Sequence, residues 1–242
     1  DQHALAYLLF NGNTFDVKGV TVNTTFNGGN IDKHYEEAER VITLCGLSGK
    51  IPLYRGADNA FEDIRPGLEN TDFDGYQAVN FIIDQAQQVR GEKLIVIAVG
   101  KLTNVALALE KEPSISDKIR LVWLGANYPD PGEYNLVNDI PAMNYLLESG
   151  IDFEMVTVRY GKPSGTDAVR MLEGEAQRTM PGLGPEIDEP VTGRHGDTFK
   201  NFGDYSVSLF EHCEFHGDPP GRSLFDMAAL AIVKNSEWAE AT

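Results

Sequence analysis

Cysteine is almost missing from this sequence: Cys45 and Cys213 are the only two in 242 residues. Two isolated cysteines make neither a disulfide framework nor a zinc site, and they read as ordinary buried thiols. Basic residues are scarce as well. Lys and Arg total 20 against 37 Asp and Glu, a formal net charge of −17, which would repel a phosphate backbone or an anionic membrane surface. Nucleic acid polymers and membranes are therefore set aside as partners. No apolar run approaches the ~20 residues of a membrane span, and no basic-then-apolar leader is visible. The sequence opens at Asp1 directly into the helical pattern Gln2–Phe10, so the compartment, cytoplasmic or exported, stays open. A phosphate loop is absent too, because Gly161-Lys162-Pro163-Ser164-Gly165 lacks the required spacing and reads as a turn.

What is present is an alternation of strand-like and helix-like segments with short turns, the pattern of an α/β fold. Strands are predicted at Val17–Val22, Ile51–Tyr54, Leu94–Val99, Ile119–Leu124 and Phe153–Val158, and helices at Ile31–Cys45, Tyr76–Val89, Leu102–Glu110 and Ile140–Ser149. Right-handed crossovers make such strands parallel, giving a mostly parallel central sheet flanked by helices. The unbroken apolar run Leu94–Val99 is expected to be buried on both faces. From Tyr160 the composition shifts to Gly, Pro and charged residues. We read one domain over 1–242, with 160–222 as a loop-rich lid or insertion, and further helices near Tyr205–Glu214 and Ser223–Val233.

Three runs place polar groups where strands end or helices start: Gly100-Lys101-Leu102-Thr103-Asn104, Gly132-Glu133-Tyr134-Asn135 and Leu224-Phe225-Asp226. Ligands of open parallel sheets bind beyond the carboxyl ends of the strands, so this grouping points to a sugar-binding enzyme. The acidity also suits a divalent cation held by carboxylates, although most of those charges are simply solvated surface.

Taken in order, these runs resemble the nucleoside hydrolases, the inosine-uridine-preferring superfamily, over nearly the entire chain. Asp1-Gln2-His3-Ala4-Leu5 is similar to the end of the family's Asp-rich opening motif, Ile51-Pro52-Leu53-Tyr54-Arg55-Gly56-Ala57 to its P-V-Y-x-G-A segment, and Phe73-Asp74-Gly75 to its D-G turn. Gly100–Asn104 matches G-P-L-T-N, Gly132–Asn135 matches E-F-N, and Phe225-Asp226 stands at the terminal H-D. The resemblance implies hydrolysis of the N-glycosidic bond of a small-molecule ribonucleoside with a bound calcium ion, in a homodimer or homotetramer. It implies Asp1, Asp226 and the Val99 carbonyl as calcium ligands, and Asn127, Glu133 and Asn135 as ribose-binding groups. Asn23 and Asn27 both stand near a further substrate-contacting Asn. Solvated carboxylates, a helix cap at Asp226 and an ordinary polar loop are the competing structural readings.

Two departures follow. The family's first strand and earlier Asp residues, including the general base, are not in this chain, so an upstream segment is expected to supply them. Phe225 replaces the His that assists the leaving base, and Phe cannot protonate anything. A stacking platform or plain core packing is its alternative. Leaving-group help is then expected from His195 or His216, with Arg194, Arg222 and Tyr160 as weaker candidates. A noncatalytic calcium-dependent riboside-binding protein, and a hydrolase of another N-riboside, are the alternative functions.

Overall fold

The computed structural model describes residues 1–240, so the last two positions of the 1–242 span lie outside the described residues. Contacts divide the chain into two compact units, one of Asp1–Val17, Glu36–Pro52 and Tyr160–Thr242, the other of Lys18–Tyr35 and Leu53–Arg159. In chain order the elements are α1 (Gln2–Phe10), β1 (Val20–Val22), α2 (Ile31–Leu44), β2 (Leu53–Arg55), α3 (Phe61–Ile64), α4 (Tyr76–Gln88), β3 (Leu94–Ala98), α5 (Thr103–Lys111), β4 (Ile119–Leu124), α6 (Tyr134–Asn138), α7 (Ile140–Glu148) and β5 (Asp152–Val156). There follow β6 (Arg170–Leu172), α8 (Glu175–Thr179), β7 (Val191–Thr192), β8 (Thr198–Phe199), α9 (Phe202–Glu211), β9 (Gly221–Ser223) and α10 (Phe225–Lys234).

The unit that contains β1 to β5 carries the parallel sheet. Strands β3, β4 and β5 pair in that order, Leu94 opposite Ile119 and Arg120 opposite Asp152, while β1 and β2 form a separate parallel pair with Val20 opposite Leu53. Helix α5 joins β3 to β4, and α6 with α7 joins β4 to β5, the helical crossovers that parallel pairing requires. The apolar faces of α4, α5 and α7 meet the sheet in one core built around Phe61, Leu107, Ile115, Leu121 and Trp123.

One expectation is corrected. Strand β3 is not buried on both faces: Ile95 is 43% exposed, whereas Leu121, Val122 and Trp123 of β4 are fully buried. The reason is position in the sheet, since among the described residues β3 pairs on one side only and β4 on both. The β3 run is the more apolar of the two, since β4 carries Arg120, so composition could not separate edge from centre.

In the other unit α1 packs against α10, β6 pairs antiparallel with β9, and β7–β8 form a hairpin closed by the Gly193 N–H donating to the Asp197 carbonyl at 2.7 Å. Within residues 160–222 lie short strands and helices α8 and α9. Helix α9 starts three residues earlier than predicted because Asn201 caps it, accepting from the Asp204 N–H at 2.8 Å. Cys45 is buried, and burial pushes its thiol up to about 12, but Cys213 is only half-buried, so one of the two expected buried thiols is not.

Candidate active site

The carboxyl ends of β3 and β4 are bound together by the residues that follow them. Trp123 Nε1 donates to the Gly100 carbonyl at 2.9 Å. Asn135 Nδ2 donates to the carbonyls of Leu124 at 3.0 Å and Val99 at 3.3 Å, so one amide bridges the ends of both strands. Glu133 caps α6 from an extended backbone: its carboxylate accepts from the N–H groups of Asn135 and Leu136, each at 2.9 Å, and from Ala126 at 3.2 Å. Ala126 has φ of 62°, a left-handed conformation that costs a residue with a Cβ about 1 kcal/mol or more. Its N–H bond to Glu133 and its carbonyl bond from Val158 hold it there. Asn127 follows in the same loop, half-buried.

The structure separates the two Asn candidates near β1. Asn23 Nδ2 donates to the Lys101 carbonyl at 2.8 Å, which sets its side chain beside Gly100 at the end of β3. Asn27 is exposed, and its backbone N–H donates to the Tyr134 hydroxyl at 2.9 Å.

Lys101 and Asp139 belong to this network and were not legible in the sequence as buried groups. Lys101 is 6% exposed and donates from Nζ to the Asn59 carbonyl at 2.7 Å, with burial lowering its pKa against the opposing pull of Asp139, Asp74 and Asp58. Nothing in sequence marks a lysine for burial, since most are exposed. Asp139 caps α7, accepts from the Phe61 N–H at 2.9 Å and bonds the Thr103 hydroxyl. Asp139-Ile140-Pro141 is a readable helix-start signal that could have found it.

Gly56 shows how tightly β1 and β2 are seated. A Cβ there would lie 2.1 Å from the Val22 carbonyl and 2.3 Å from Asn104, whose amide bonds Val22 O at 3.0 Å and accepts from the Ala57 N–H at 2.8 Å. Gly56→Ala is therefore expected to destabilise the protein by about 1–3 kcal/mol in chemical denaturation, the cost of overpacking. A midpoint unchanged from wild type would contradict this seating.

In the other unit, the first turns of α1 and α10 meet. The backbone nitrogen of Asp1 lies 2.6 Å from Asp226 Oδ2, and the Asp226 side chain is 18% exposed. The N-cap of α10 is Leu224 with no side-chain cap bond, and Asp226 stands in the first turn, where the helix macrodipole favours a carboxylate. Phe225 packs edge-to-face on Tyr160, ring centroids 5.9 Å apart. His195 sits at the tip of the β7–β8 hairpin, stacked on His212 at 4.0 Å. Burial, then His212 and Arg194, lower its pKa. His216 is exposed, 3.7 Å from Glu214. Among the described residues neither imidazole bonds Asp1, Asp226 or Phe225, and no group of three or more His, Cys, Asp or Glu gathers as a metal site. Asp1 and Asp226 suit a hard cation in kind, but two carboxylates are only part of the six to eight oxygens calcium takes.

A parallel sheet with polar side chains and backbone carbonyls gathered past the carboxyl ends of its strands defines an α/β protein, and it is at such strand ends that sheets of this class bind ligands. The family follows from the whole chain. This protein belongs to the inosine-uridine preferring nucleoside hydrolase family, whose sequence model matches residues 1–241. It is 26% identical over 175 residues to the inosine-uridine preferring nucleoside hydrolase of Leishmania major, covering 63% of this chain and 55% of that protein. Identity is 30% over 162 residues to the pyrimidine-specific ribonucleoside hydrolase RihA of Shewanella oneidensis, covering 58% of this chain and 50% of the relative. The chain thus spans about half the length of the curated relatives it matches. The fold is similar to that of a purine-preferring ribonucleoside hydrolase from Gardnerella vaginalis, with a TM-score of 0.69 at 20% identity, over 99% of this chain and 78% of that one. No described helix is long and apolar enough to cross a membrane.

Proposed function

We propose that this protein hydrolyses the N-glycosidic bond of a small-molecule ribonucleoside, releasing ribose and free base, and that the reaction depends on calcium. The family match along residues 1–241 is the observation that carries this reading. The chemistry passes through an oxocarbenium-like ribosyl carbon, so the site must fix the sugar before the bond breaks.

The residues past β3 and β4 suit that task. Both amide hydrogens of Asn135 are committed to strand-end carbonyls, so Oδ1 is what it offers a sugar hydroxyl. Asn23 is anchored through Nδ2 in the same way. Glu133 and Asn127 complete the proposed sugar-facing set, held on a loop whose backbone the Glu133 carboxylate orders. Such bracing lets the hydroxyls be read by groups that need no reorganisation.

Asp1 and Asp226 would be carboxylate ligands of the calcium ion, which when bound would acidify water and orient sugar hydroxyls. Phe225 and Tyr160 form an aromatic pair in the unit that carries Asp1 and Asp226. Proton delivery to the base is proposed for His216 or His195. A homodimer or homotetramer is proposed from the family alone.

Base and reducing sugar released from a panel of purine and pyrimidine nucleosides, measured on the natural protein with calcium and then with a chelator, test the reading. Turnover is expected to disappear on chelation and to return with added calcium. Turnover indifferent to chelation would remove calcium from the proposal. Calcium binding without release from any nucleoside would favour noncatalytic riboside binding, a reading that the Phe225–Tyr160 pair supports.

A further inference from the structure

The loop between β1 and α2 holds an aromatic ring out of the core. Phe26 is 70% exposed, the most exposed large apolar side chain among the described residues. A ring so exposed on a slack loop would need no explanation, but this loop is fixed residue by residue. The Phe26 N–H donates to Asn138 Oδ1 at 2.7 Å, the Asn27 N–H to the Tyr134 hydroxyl at 2.9 Å, and Thr25 Oγ1 to the Asn27 carbonyl at 3.1 Å. Asn138 is itself buried, and its Nδ2 donates to the Tyr134 carbonyl at 2.8 Å. One buried amide therefore positions both the backbone of Phe26 and the first turn of α6.

The ring has a brace as well. Tyr134 meets Phe26 edge-to-face, centroids 6.4 Å apart and planes at 86°. In the chain Tyr134 lies between Glu133 and Asn135, so the aromatic pair and the proposed sugar-binding groups are carried by the same turn of the same unit. An N-riboside has a polar ring and a planar ring one bond apart. A rigid apolar face carried on the turn that bears hydroxyl-binding groups suits that division.

We infer that Phe26, braced by Tyr134, is the stacking platform for the planar aglycone of the riboside, a nucleobase or a similar aromatic ring. This rests on the riboside reading above. Because every base has a π-face, such a platform gives affinity for planar leaving groups without choosing between purine and pyrimidine.

Phe26→Ala and Phe26→Trp are compared with wild type, and Trp238→Ala, exposed in the other unit, serves as a control. The measurements are kcat/KM for nucleosides, inhibition by free ribose and the sedimentation coefficient. Phe26→Ala is expected to lower kcat/KM roughly ten-fold, the share of one base stack, with ribose inhibition unchanged. Phe26→Trp is expected to restore it. The platform is overturned if Phe26→Ala stays within about two-fold of wild type. An equal loss for ribose would make Phe26 a structural brace, and a change in sedimentation without a change for nucleosides would make it a subunit contact. Absence of release from every riboside by wild type would overturn the hydrolase reading and the platform with it, whereas normal release with an indifferent Phe26→Ala overturns the platform alone.

Discussion

Glu133→Ala is expected to lower stability by about 2–4 kcal/mol and to reduce kcat/KM about 100-fold at temperatures where the variant remains folded. The carboxylate is 5% exposed and satisfies three backbone donors, Ala126, Asn135 and Leu136. Its removal deletes the cap of α6, worth about 1 kcal/mol, and leaves the N–H of left-handed Ala126 without its acceptor. Each orphaned buried donor costs about 1–3 kcal/mol, part of which entering water recovers. The activity loss has a separate origin, because the loop that carries Asn127 and the turn that carries Asn135 would shift. Glu133→Gln keeps an acceptor oxygen and should retain more stability than activity. Urea denaturation alongside steady-state kinetics separates the two effects. A Glu133→Ala protein as stable as wild type would remove the capping argument, and one that is destabilised but fully active would remove the proposed sugar role.

The second large effect is a pH dependence of stability seated at His3. Its ring lies 4.7 Å from the Phe210 ring and 5.7 Å from Phe202, and Nε2 is 2.8 Å from Ser206 Oγ. Burial lowers its pKa from 6.5 to about 4. Between these two values the unfolded chain binds a proton that the folded chain does not. Stability therefore falls as pH drops through this window and levels off below about 4. The loss is about 3 kcal/mol at its fullest, from 1.36 kcal/mol per pH unit across that window. His3→Gln keeps a polar group toward Ser206 without the titration. The difference between wild type and variant, measured by urea denaturation at pH 7 and near pH 4, should contain this loss. Parallel pH profiles for the two proteins would place the titration elsewhere.

Much of the candidate site was legible because its residues announce themselves through local context. Glu133 and Asn135 follow a strongly apolar strand run, and Asp226 opens an apolar helix. Lys101 and His3 gave no such signal, since their burial arises from segments remote in sequence. The Nζ of Lys101 is satisfied by Asn59, and His3 is enclosed by α9. The choice between Asn23 and Asn27 was equally out of reach, because it depends on which of two loop amides falls beside the end of β3.

By itself, then, the sequence determined the periods of its elements: helix Gln2–Phe10 and strand Ile119–Leu124 are found at the predicted bounds, because apolar spacing and end signals act over a few residues. Tertiary structure alone decided that β4 rather than β3 is the buried centre of its sheet, and that Asn135 spans the ends of both strands. It alone decided that Phe26 is held outward while Tyr205 is fully buried. Hydrophobicity specifies that a side chain prefers burial, but which ring is covered depends on the chain segments that pairing and packing bring over it.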